Sequence, residues 1–102
     1  MKFDLTKPVL DLTGKPIKNG EEEVTYRETI SIALQSSDQR EPETGADKSK
    51  SFGILTKIYN TKEPDLTATE ISLILEKAGK FISVLGYGRL KELLEPESKK
   101  DD

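Results

Sequence analysis

The stretch Asp65-Leu66-Thr67-Ala68-Thr69-Glu70-Ile71 constrains this chain more than any other. The Thr67 hydroxyl can accept from the Glu70 amide while the Glu70 carboxylate reaches back to the Thr67 amide, and Leu66 with Ile71 can form a hydrophobic staple. Downstream, Ile71, Ile74, Leu75, Ala78, Ile82 and Leu85 recur with the rhythm of a helical face. Glu76 and Lys80 form an i,i+4 pair in the favourable order. The pattern predicts a helix from 68 to at least 79 and leaves open whether it continues through Gly79. Gly86-Tyr87-Gly88 reads as a corner between helices rather than a ligand loop. Leu90, Leu93 and Leu94 then line a short last helix ending before Pro96.

Upstream, residues 1–20 read as an extended arm or small β-hairpin, with Leu10 to Leu12 facing Pro16 to Lys18. Thr13-Gly14-Lys15-Pro16 and Asn19-Gly20 supply the turns. Such a hairpin is marginal alone and must lie on something else. Two patterns compete over 24–34. Val24, Tyr26, Ile30, Ile32 and Leu34 alternate as in a strand, whereas Thr25 to Glu28 form a capping box, with Tyr26, Ile30, Ala33 and Leu34 on one helical face. Helix 26–36 is favoured, and a strand remains the alternative. Residues 37–50 contain no large apolar side chain and read as a flexible polar loop. Structure resumes at 51, where Phe52, Leu55, Ile58 and Tyr59 share a helical face and Phe52, with Phe81, is expected in the core. Residues 95–102 read as a disordered tail.

The expectation is one mainly α domain over 1–94. Apolar residues are 33% of the chain and charged residues 34%, so the core is small and the broad stripe of the C-terminal half should need a partner to cover it. A second copy is the simplest partner, because a symmetric dimer uses one patch twice. The net charge of −3 makes nucleic acid an unfavoured partner. The chain has neither cysteine nor histidine, which excludes disulfides, thiol nucleophiles and thiolate–imidazole zinc sites. No cofactor is expected. No signal peptide or membrane span is visible, since residues 71–94 are broken by Glu76, Lys77, Lys80 and Arg89. The expected location is the cytoplasm of a bacterial host or the virion, for the reason given next.

The segments Lys7-Pro8-Val9-Leu10-Asp11-Leu12-Thr13-Gly14-Lys15-Pro16-Ile17, Leu55-Thr56-Lys57-Ile58-Tyr59-Asn60 and Asp65 to Ile74, with Lys80 to Leu94, resemble small uncharacterised proteins of tailed phages and prophages. The resemblance implies a phage or prophage origin and a mixed but mainly helical fold. It implies no catalytic residues.

Three functional readings follow. The first is a non-enzymatic interaction protein, self-associating, that acts as an assembly accessory or binds a host factor. The second is a protein that sequesters an anionic nucleotide through Arg27, Lys80, Tyr87 and Arg89, because arginine and tyrosine fall near glycine-relaxed backbone. The third is a DNA-binding regulator, with Lys77, Lys80, Arg89 and Lys91 facing phosphate from a helix-turn-helix. The acids Glu21, Glu22, Glu23 and Asp11 lack calcium-loop spacing and read as a solvated charge run.

Overall fold

The computed structural model describes residues 2–37, 40 and 42–95, and among them the fold is mainly α. Strands β1 (Lys18–Asn19) and β2 (Glu22–Glu23) precede helices α1 (Tyr26–Gln35), α2 (Gly45–Asn60), α3 (Ala68–Phe81) and α4 (Val84–Leu94). The segment expected to be a tail lies, from 96 onward, outside the described residues.

The N-terminal arm contains the expected turns. Leu10 bridges Pro16, and Gly14 takes a φ of +88°. The antiparallel pair β1–β2 turns at Gly20, whose φ is +69°. Three β-branched residues knit these pieces together in a ring. Val9 donates to the Val24 carbonyl at 2.8 Å, Val24 to Ile17 at 2.8 Å, and Ile17 to Val9 at 2.9 Å. The arm then lies across the start of α1, where the amides of Tyr26 and Arg27 donate to Lys7 and Leu5. A helix leaves its first amides without internal partners, so this contact satisfies groups that water would otherwise serve.

Within the contested segment, residues 26–34 are helix, while Val24 and the cap Thr25 stay extended against the arm. The Thr25 hydroxyl accepts from the Glu28 amide, and Ile30, Ala33 and Leu34 are buried while Ile32 is not. Helix α1 packs on α2 and α3, and α3 packs on α4. One apolar cluster joins Phe3 and Leu5 of the arm to Ile30 and Leu34, Ile54 and Ile58, Ile71 and Ile74, and Leu90 and Leu94.

Three expectations need correction. The polar tract is not loop throughout, because α2 begins at Gly45. Thr44 and Asp47 form a reciprocal capping box there, and Lys77 holds Glu43 just ahead of it (residues 38, 39 and 41 of the tract lie outside the described residues). The buried face of α2 is Ser51, Ile54 and Ile58, which leaves Phe52 at 69% exposure rather than in the core. The point left open at Gly79 resolves as continuous helix, with α3 running on to Phe81 and the Tyr87 ring lying beside Gly79.

The third correction concerns the helix corner. It falls at Ile82 and Ser83, not at Gly86-Tyr87-Gly88, which lies inside α4. Ser83 caps α4 by accepting from the Gly86 amide at 3.2 Å. A Cβ on Gly86 would stand 2.7 Å from Ile82 Cγ2, so Gly86 serves close packing at the corner rather than a chain break. Glycine lowers helix propensity by only about 1 kcal/mol relative to alanine, which this packing overrides.

Candidate functional site

Most of the apolar stripe expected to need a partner is covered within the chain. Ile71, Ile74, Leu75 and Ala78 are all buried under α1, α4 and the arm, while Ile82 and Leu85 at its far end are only partly buried. The open apolar surface lies at that far end. Val84 is 91% exposed and Leu12 is 86% exposed, and both line one shallow groove of about 420 Å³ with Leu85 and Gly88. Arg89 and Glu92 complete its lining.

Local chemistry builds each side of this groove. The Asp11 carboxylate accepts from the Thr13 amide at 2.8 Å, the Thr13 hydroxyl at 2.6 Å and the Lys15 amide at 3.1 Å. These donors, the Thr13 hydroxyl foremost, hold the Asp11 carboxyl below its ordinary value. The turn is therefore tied to its own side chain, and Leu12 projects from it. Arg89 anchors the turn to α4. Its Nε donates to the Leu10 carbonyl at 2.9 Å and its Nη2 to the Asp11 carbonyl at 2.7 Å, while Nη1 reaches Glu92 at 3.3 Å. Val84 is the first residue of α4 after the Ser83 cap and faces away from the core.

The four residues singled out from sequence are not gathered around one ligand. Arg89 spends its donors on the backbone of the arm and on Glu92. Arg27 lies over the Tyr59 ring of α2 at 5.3 Å, and its buried Nε has no acceptor among the described residues. Tyr87 is half-buried against the core and faces Gly79. Lys80 is exposed in the last turn of α3. Nearby Tyr26 titrates above its usual value because it is partly buried and because Glu92 is close, with Arg89 opposing.

A phosphate-facing surface at the α3–α4 corner loses Lys77. That side chain is buried, donates to the Leu34 carbonyl at 3.1 Å and pairs with Glu43. Among the described residues no cluster of His, Cys, Asp and Glu is grouped to hold a metal ion, and no helix is long and apolar enough to cross a membrane.

Sequence reasoning missed Leu12, Val84 and Gly88. The signal for Leu12 was present, since an Asp-Leu-Thr-Gly turn displays its second residue. Nothing in the sequence marked Val84, because its exposure depends on where the corner falls. Comparison with protein-family models, with curated proteins and with solved structures finds no match.

Proposed function

We propose that this chain is a non-enzymatic protein-interaction module whose working surface is the groove between the Asp11 turn and the first half of α4. One observation carries the reading: the two most exposed large apolar side chains among the described residues, Val84 and Leu12, line the same groove. Single exposed apolar residues are ordinary, whereas two that share a concave surface favour a docking site. The turn also presents Leu12 in a fixed pose, so little ordering entropy is lost when it is covered. The resemblance to small proteins of tailed phages and prophages favours an assembly accessory or a protein that binds a host factor.

The test is a Leu12→Asp/Val84→Asp double variant. Neither side chain is packed in the core, so its melting temperature should match wild type. Light scattering and affinity capture from bacterial lysate, run side by side on both proteins, read out association. Loss in the variant of whatever the wild type associates with supports the reading. Equal association by the two proteins refutes it.

A further inference from the structure

We infer that the outward flank of α2, together with Arg27 of α1, is a second docking surface, and that its occupant is an acidic peptide segment. The segment sets a carboxylate on Arg27 and an apolar side chain on Tyr59 and Phe52. None of these residues lines the groove beside the Asp11 turn.

The guanidinium is the feature that specifies the ligand. Arg27 lies over the Tyr59 ring at 5.3 Å, and among the described residues its side chain makes no hydrogen bond or ion pair. Its Nε is buried without an acceptor. Arg89, by contrast, gives its donors to the Leu10 and Asp11 carbonyls and to Glu92. A buried donor with no partner is costly to the fold, and a guanidinium offers its N–H groups as a planar fork that matches a carboxylate. The Tyr59 ring holds that fork in place before any ligand arrives, so little freedom is lost when an anion meets its outer edge.

The surface beside the guanidinium is apolar and open. Lys48, Phe52, Leu55 and Tyr59 follow one another at i, i+4, i+7 and i+11 along one flank of α2, next to its buried face of Ser51, Ile54 and Ile58. Phe52 is 69% exposed and Tyr59 is 50% exposed, while Leu55 packs partly against the core. Seven residues of helix set the two rings about 10 Å apart along the axis. Aromatic and arginine side chains carry much of the energy of protein interfaces. Cations stand at both ends of the stripe, with Lys48 exposed beyond Phe52 and Arg27 over Tyr59.

These charges select among occupants. A second copy related by a two-fold axis would set Arg27 and Lys48 against the same cations. A nucleic-acid strand would meet a chain of net charge −3. A peptide with an acid beside an apolar residue satisfies the fork and covers the rings without either conflict.

Panning a display library of short random peptides on the full chain tests this, followed by fluorescence anisotropy of the recovered peptides. They should carry Asp or Glu beside an apolar residue, and replacing that acid by its amide should weaken binding by about tenfold or more. Arg27→Gln and Phe52→Ser should each weaken binding to a similar degree. Phe52 is outside the core, so Phe52→Ser keeps the wild-type melting temperature and decides the matter should Arg27→Gln disturb the fold. Leu12→Asp/Val84→Asp should bind the peptides as wild type does. Failure to recover any peptide, recovered peptides without the acid, or equal binding by Phe52→Ser overturns the inference. Loss of binding in Leu12→Asp/Val84→Asp places the peptides in the other groove and also overturns it. Single-stranded oligothymidylate that displaces the peptides at lower concentration than they displace each other assigns the surface to nucleic acid, against the claim made here.

Discussion

Lys77 Nζ lies 3.1 Å from the Leu34 carbonyl oxygen, so a buried ammonium from α3 caps the C-terminal turn of α1. The same ammonium pairs with Glu43 just before α2, and the Phe81 ring lies 6.0 Å away. A cation at a helix C-terminus meets the negative end of the helix dipole. One side chain of α3 thus joins the end of α1 to the start of α2. Lys77→Ala should cost about 3 kcal/mol, since it leaves a buried carbonyl and a partly buried carboxylate without their partner. Urea unfolding measures this, and a loss under 1 kcal/mol would show the joint to be incidental.

The glycines of α4 should respond in opposite directions. Gly86→Ala forces a methyl to 2.7 Å from Ile82 Cγ2 and should destabilise by about 2 kcal/mol. Gly88→Ala enters open space and should raise the stability of the lone chain by about 1 kcal/mol. Thermal unfolding in dilute solution reads both.

Arg89→Met removes two donors to arm carbonyls, and a loss of about 2 kcal/mol is expected. A structural consequence should accompany it. The amides of residues 9–15 should lose hydrogen-exchange protection more than those of α3, because the guanidinium ties Leu10 and Asp11 to α4. Uniform loss of protection across the chain would contradict that assignment.

Acid should weaken the fold partly through Glu70. Burial alone would raise its pKa, but hydrogen bonds from the Lys57 ammonium at 2.8 Å and the Thr67 amide at 2.9 Å outweigh this and lower it. A folded-state pKa below the unfolded 4.5 stabilises the protein fully above that pH, and the stabilisation is lost as pH falls through the folded value. Urea midpoints should therefore be flat from this group between pH 7 and about 5 and decline below. Glu70→Gln should have a lower midpoint at pH 7 and a shallower acid limb. Parallel acid limbs for the two proteins would place the titration elsewhere.

Local chemistry was enough to determine the helix starts at Thr25 and Thr67, the turns at Gly14 and Gly20, and the mainly helical class. A cap or turn is a contract among residues within four positions, so the sequence alone can declare it. The Thr44–Asp47 box was equally local, but polar composition masked it. Only the tertiary structure decided which residues of α2 and α4 face outward, because both glycine tolerance and helix-face rotation depend on what packs alongside. Ile54 displaced Phe52 from the core, and Ile82 made Gly86 a contact rather than a break. The groove is likewise tertiary, since Leu12 and Val84 come from distant parts of the chain and share a surface only because Arg89 draws the Asp11 turn onto α4.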